Sequence, residues 1–363
     1  MKETIVVSAT NIVDGGMLTI LEQAVSAFKI VAERSRVIFL VANSEVVNNF
    51  DFGHIEVFCF PLSKKSWFYR VYFEYHGFKR WQIKNNILNI DLWFSLHDMT
   101  PSVKAARQAV YCHNPSMYLD LSFRDFILAP KLFLFSKLYN FLYVINLRKN
   151  IKVVVQQHWL GDFFSNYVGV ESVVVARPVL ENIRSFDSHS EVVDFFYPAF
   201  PRLFKNHLNL VKAFEGIDDV VSLGITISGS ENKVASRVKS YCDHSNLRNV
   251  YFLGSMSRNA VIDRLSRCKA LVFPSLIETW GLPISEAIQL NKPILVADRP
   301  YAHETVGDYA NVYWFDPDSV ESLSACVRRF LSGAVPDGPR AYKRTYKEKR
   351  SWAELIDDLL GVR

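Results

Sequence analysis

The stretch Ala270-Leu271-Val272-Phe273-Pro274-Ser275-Leu276-Ile277-Glu278-Thr279-Trp280-Gly281-Leu282-Pro283-Ile284-Ser285-Glu286-Ala287-Ile288 decides the reading of this chain. An apolar run closes at Pro274-Ser275, as a buried strand does, and a loop then carries Glu278. Gly281 permits close backbone approach, and Pro283 suits the first position of a helix, since its missing N–H and fixed φ cost nothing there. The loop therefore delivers a helix N-terminus beyond the carboxyl end of a strand. Backbone N–H groups near Gly281, Leu282 and Ile284, with the positive end of the macrodipole, suit an anion such as a diphosphate. Glu278 and Glu286 would repel that anion unless they accept hydrogen bonds from hydroxyl groups beside it.

Outward from this segment the same alternation recurs. Runs rich in Val, Ile and Phe that read as strands are 4–9, 36–42, 55–60, 92–96, 109–113 and 153–157 in the first half. In the second half they are 192–197, 223–228, 249–253, 270–274, 294–297 and 312–315. Strands alternating with helix-like segments imply parallel sheets with crossover helices, so the expected class is α/β with two Rossmann-like, doubly wound domains. The polar stretch 185–191, after Arg177-Pro178, sets the boundary near residues 176–190. The expected domains are 1–180 and 181–340, with 341–363 a C-terminal helix returning to the first. Ligands collect at the carboxyl ends of strands in such sheets, so two domains facing each other would place function in an interdomain cleft.

Composition agrees with a soluble two-domain protein. The chain has 363 residues, 49% apolar and 22% charged, enough for about two cores. The longest charge-free run, Gln108 to Leu119, has 12 residues, short of the roughly 18 to 20 that cross a bilayer. No export signal is expected at the N-terminus. The five dispersed cysteines lack a C-x-x-C pair and read as reduced thiols of a cytoplasmic protein. A net charge of +5 does not argue for nucleic acid, and no nucleic-acid-binding motif is present.

In the first half, Asn11-Ile12-Val13-Asp14-Gly15-Gly16-Met17 follows the opening strand, where paired glycines let a loop approach a ligand. Gln108-Ala109-Val110-Tyr111-Cys112-His113-Asn114-Pro115 ends another strand in a histidine, and His97-Asp98 competes for the same role. Asp316-Pro317-Asp318 offers a D-x-D pattern, but Asp318 reads as an N-cap with Glu321 completing a capping box, so no metal is expected. The segment from Lys64 to Lys84 interleaves six basic with eight aromatic residues, and the segment from Phe123 to Lys152 mixes Phe, Leu and Tyr with basic groups. Both suit the surface of an anionic membrane, which implies peripheral attachment at the inner face of the plasma membrane, or amphipathic helices packed on the first domain.

Glu278 and Glu286, seven residues apart within P-S-x-x-E-x-x-G-x-P-x-x-E-A, resemble the E-x7-E signature of family 4 of the GT-B glycosyltransferases, the retaining enzymes also called glycosyl transferases group 1. The resemblance is strong over residues 190–317 and looser before them. It implies a metal-independent transferase, without cofactor, that moves a sugar from a nucleoside-diphosphate sugar to a glycan acceptor. Many members extend lipid-diphosphate-linked glycans in bacterial surface polysaccharide or O-antigen assembly, which gives the implied acceptor. By the same resemblance Glu286 binds the donor ribose, Glu278 meets the transferred sugar, and the amides of Gly281, Leu282 and Ile284 hold the distal phosphate. Lys205, in Pro201-Arg202-Leu203-Phe204-Lys205-Asn206, matches the family's lysine, whose ammonium neutralises the departing diphosphate. The family sets an arginine about six residues earlier, where Ala199 stands, and Arg202 is the substitute cation. Gly15 and Gly16 correspond to the family's first loop, and His113 to its strand-terminal histidine, followed here by Asn114 where Asp is usual. The rival functions are a GT-B sugar-nucleotide epimerase and a noncatalytic module that binds sugar nucleotide or glycan.

Overall fold

The computed structural model describes residues 2–13, 16–114, 118–119, 123–170, 172–178, 183 and 193–361. It divides into two compact units. The first contains Met1–Asn114, Lys137–Val179 and Arg344–Arg363, and the second Pro115–Ser136 and Leu180–Lys343. Pro115–Ser136 thus groups with the second unit, although its position in the sequence lies inside the first.

The first unit is built on β1 (Thr4–Ala9), β2 (Arg36–Val41), β3 (Glu56–Cys59), β4 (Leu92–Ser95), β5 (Arg107–Tyr111), β6 (Lys152–Val155), β7 (Val173–Ala176) and β14 (Lys347–Lys349). They form one sheet in the order β14-β7-β6-β5-β4-β1-β2-β3, every pair parallel. Helices cover both faces of such a sheet, so the central strands are buried throughout and read as continuous apolar runs. Strand β4 is fully buried along its length. Residues 64–84 are split by the fold: Phe78 and Trp81 pack under the sheet with Phe60 and Trp93, while Trp67, Phe68, Tyr69 and Tyr72 stay exposed.

Two strands escaped the sequence reading. β7 ends at Ala176, where the sequence reading set the start of the domain boundary, and β14 is Lys347-Glu348-Lys349, a charged edge strand with no apolar pattern. The segment expected as a C-terminal helix therefore opens with a strand, and only Trp352–Leu360 is helical. His158 anchors this return. Its Nδ1 accepts from the N–H groups of Thr345 and Tyr346, both at 3.1 Å, and Nε2 lies 2.8 Å from Glu348 Oε1. Trp352, Leu355, Ile356, Leu359 and Leu360 then join the core formed by β1, β2 and the helix Gly16–Ala32. Leu359 is wholly buried, so Leu359→Ala should cost about 2–5 kcal/mol in chemical denaturation. An unchanged denaturation midpoint would remove this helix from the core.

The second unit holds β8 (Phe195–Tyr197), β9 (Leu223–Ile225), β10 (Val250–Phe252), β11 (Ala270–Phe273), β12 (Ile294–Ala297) and β13 (Val312–Phe315). All pairs are parallel, and the order is β10-β9-β8-β11-β12-β13. The chain winds outward from β8 to β10, then crosses back to β11 and winds the other way. β8 and β11 therefore flank the point where the winding reverses, and loops leaving their carboxyl ends diverge to open a crevice there.

Candidate functional site

The two loops at this switch point carry Lys205 and Glu278. After β8 the chain runs through Pro198–Pro201 into a 3-10 turn, Leu203–Lys205, and Asn206 takes a left-handed conformation before the helix His207–Phe214. After β11 the loop runs to Gly281, and the helix Leu282–Gln289 follows. Lys205 Nζ lies 2.5 Å from Glu278 Oε1, with side chains only 19% and 13% exposed. Little water screens this pair, so it is stronger than a surface ion pair.

A polar network fixes both loops. The Tyr197 hydroxyl, at the end of β8, donates to the Lys205 carbonyl at 2.8 Å and lies 2.8 Å from Ser275 Oγ. Burial and the nearby Glu278 charge push the Tyr197 phenol well above its usual range, so it stays a neutral donor. Tyr301 donates to the Ser275 carbonyl at 2.7 Å, and the Leu276 N–H donates to the Phe204 carbonyl at 2.7 Å. Asn206 and Asn209 tie the first loop to the Pro317 carbonyl after β13. Tyr197, Ser275 and Tyr301 were not foreseen, because a tyrosine at a strand end reads as an ordinary β-former.

At the helix start the details differ from expectation. Gly281, at φ +87°, is the N-cap, and Pro283 occupies the second helical position. Only glycine adopts this φ without strain, and a Cβ here would also stand 3.2 Å from Ile284 Cδ1. The Ile284 N–H already donates to the Gly281 carbonyl at 2.9 Å, so it is not the free anion donor expected of it. The Gly281 and Leu282 N–H groups have no acceptor among the described residues.

Glu286 sits on this helix, buried, with Arg258 Nη2 3.4 Å from its Oε1. Burial raises its carboxyl above the ordinary value, and Arg258 opposes the shift. Arg258 also went unforeseen, since nothing in the sequence couples positions 258 and 286. Arg202 is exposed, its guanidinium 6.0 Å and 5.9 Å from the centres of the Phe200 and Phe204 rings. Ala199 is buried, its N–H held by Thr226 Oγ1.

In the first unit, Gly15 and Asp14 lie outside the described residues, and Gly16 begins the helix Gly16–Ala32. The two histidines are held differently. His97 is fully buried, with Nδ1 2.9 Å from the Ser8 carbonyl and Nε2 2.5 Å from Glu74 Oε1, so both ring nitrogens are engaged. The His113 N–H donates to Asp98 Oδ1 at 2.6 Å, and its Nδ1 lies 3.3 Å from Gln156 Nε2. His113 Nε2 has no partner among the described residues, and burial pushes the imidazole down to about 4, so the ring is neutral at pH 7.

The D-x-D pattern resolves into a cap, but not the expected one. Ser319 is the N-cap, accepting from the Ser322 N–H at 3.0 Å, while Asp318 pairs with Arg299. Ser319 competes successfully because its short hydroxyl reaches the first-turn N–H directly. Among the described residues no group of three His, Cys, Asp or Glu side chains could hold a metal ion.

Two parallel, doubly wound sheets define the GT-B class, as expected from the sequence. Residues 187–352 match the family described as Glycosyl transferases group 1. The O-antigen chain mannosyltransferase RfbU of Salmonella typhimurium is 34% identical over 79 residues, 22% of this chain and 22% of RfbU. The chain thus matches less than a quarter of that curated relative's length. Sucrose-phosphate synthase from Thermosynechococcus elongatus superposes with a TM-score of 0.68 at 13% identity, over 91% of this chain and 90% of its own. Anabaena HepE in complex with UDP-glucose gives 0.60 at 16%, over 91% and 90%. At these identities the structures share the fold alone.

The raised carboxyl of Glu286 makes a stability prediction. A carboxyl raised by folding contributes stability that is fully present below its unfolded value, about 4.3, and is lost as pH climbs through the folded value. Glu286→Gln should therefore be more stable than the parent at pH 7, with the advantage shrinking toward pH 4 in thermal melts. A variant less stable at pH 7 would contradict the burial penalty.

Proposed function

We propose that the chain is a retaining, metal-independent glycosyltransferase. It moves a hexosyl residue from a nucleoside-diphosphate sugar to a hydroxyl of a glycan acceptor, carried on a lipid diphosphate during surface polysaccharide assembly. The observation that carries this reading is the Lys205–Glu278 pair at the switch point of the second sheet. The family match over residues 187–352 supports sugar transfer, the O-antigen mannosyltransferase supports the glycan class and a mannosyl group, and the UDP-glucose complex of HepE supports the donor class.

Each residue has a role. Lys205, Arg202 and the Gly281 and Leu282 amides take the diphosphate, and the Lys205 ammonium stabilises the negative charge that develops as the sugar departs. Glu286, beside Arg258, accepts from the ribose hydroxyls. Glu278 accepts from hydroxyls of the transferred sugar and orients its ring. In the first unit, neutral His113, with Nε2 unpartnered among the described residues, is the histidine that hydrogen-bonds a hydroxyl of the donor sugar, whereas His97 keeps a structural role. The leaving phosphate takes the acceptor's proton on the same face of the sugar, which preserves the anomeric configuration.

Glu278→Gln should lower transfer roughly a hundredfold while nucleotide still binds. Lys205→Ala should weaken UDP or GDP binding at least about tenfold in calorimetry. Unchanged turnover in the first variant, or equal affinity in the second, would remove that residue from the site. Nucleotide-sugar turnover with no acceptor dependence would point to an epimerase instead.

Membrane contact belongs to the same reading. No helix among the described residues is long and apolar enough to cross a bilayer. Exposed Phe68, at 80%, is flanked in sequence by exposed Trp67, Tyr69 and Lys65, and exposed Lys79, Ile83 and Lys84 follow further along the same helical run. Rings at headgroup depth and cations on lipid phosphate make a peripheral contact. Phe68→Ser should reduce co-sedimentation with phosphatidylglycerol vesicles severalfold, and undiminished binding would exclude this face.

A further inference from the structure

We propose that Glu278 and the distal phosphate of a nucleoside diphosphate compete for the single ammonium of Lys205, so that the carboxylate serving the bound sugar also drives release of the spent diphosphate. The inference rests on the donor-site reading above and adds a release step to it.

The geometry makes the competition direct. Lys205 Nζ is 2.5 Å from Glu278 Oε1, and the Phe204 and Phe273 rings lie 5.8 Å and 5.9 Å from the same nitrogen. Both carrier loops are fixed: Tyr197 holds the Lys205 carbonyl and meets Ser275, Tyr301 holds the Ser275 carbonyl, and Phe204 accepts from Leu276. The loops cannot easily separate to accommodate a ligand, so the exchange falls to the two side chains. A diphosphate drawing Lys205 toward itself deprives Glu278 of its counter-ion.

The balance of that loss depends on the sugar. A largely buried carboxylate without donors is costly, but hydroxyls of an intact sugar resupply them. Once the sugar has been transferred those donors leave, and Glu278 regains its attraction for Lys205. Intact donor is thus held by both partners, whereas the bare diphosphate must be held against the pull of Glu278. The same pair of residues therefore discriminates substrate from product by the presence of the sugar.

The test is a double-mutant cycle on the affinity and dissociation rate of UDP and GDP, by calorimetry and stopped flow. Glu278→Gln should tighten the nucleoside diphosphate about tenfold and slow its dissociation by a similar factor, because a neutral amide holds an ammonium less strongly. Glu278→Ala should tighten it in the same direction, which guards against a defect peculiar to the amide. Lys205→Met alone should weaken binding, and adding Glu278→Gln to Lys205→Met should change affinity less than about twofold. Tightening that persists in the Lys205→Met background means direct repulsion between carboxylate and phosphate and overturns the exchange. So does binding that Lys205→Met weakens but neither Glu278 variant tightens, with the donor-site reading left standing. A parent chain that binds neither UDP nor GDP overturns the donor-site reading and the exchange together.

Discussion

A partly buried ammonium and a partly buried carboxylate, 2.5 Å apart, set the constraint on which the second unit is organised. Neither group is tolerable alone in that environment, because a desolvated charge without a partner costs several kcal/mol. The fold meets the constraint by topology. β8 and β11 are neighbours although some seventy residues of chain lie between them, and their loops leave the sheet on either side of the winding reversal. Lys205 and Glu278 come from those two loops, and the tyrosines at positions 197 and 301 secure the backbone beneath them.

Two of the surrounding groups sit in locally unfavourable settings. Glu286 is a carboxylate kept inside the protein with an arginine only at 3.4 Å, and its proton affinity rises accordingly. Gly281 holds a left-handed backbone at a helix start, where serine or aspartate would cap the helix better. Both choices oppose local stability, and such departures concentrate at functional sites. His97 offers the contrast: both ring nitrogens are engaged, and Arg70 donates to its carbonyl at 3.0 Å. A side chain so fully satisfied has no valence to offer a ligand, which is why His113 and not His97 is assigned to the sugar.

The architecture was largely legible in the sequence because parallel strands covered on both faces leave continuous apolar runs. The strands at 4–9, 294–297 and 312–315 fall where the runs place them. β14 was not legible, since it is recruited by an edge and by His158 instead of by its own hydrophobicity. At the site, residue types and spacing singled out Glu278 and Glu286, and the family resemblance added Lys205. Spacing could not reveal that Lys205 meets Glu278 while Glu286 meets Arg258, because those contacts depend on which strands are adjacent. Helix starts were read only to within a residue. Pro283 is compatible with the first or second position, Ile284 turned out to close the first turn, and Ser319 took the cap assigned to Asp318.

What the account requires is that a pyrophosphate group be gripped where the β8 and β11 loops meet. A crystal structure with UDP or GDP bound tests this most directly. The account predicts the distal phosphate within hydrogen-bonding distance of Lys205 Nζ and the Leu282 N–H, with the ammonium drawn away from Glu278. A diphosphate seated elsewhere, or one bound while Lys205 and Glu278 remain in full contact, would contradict it.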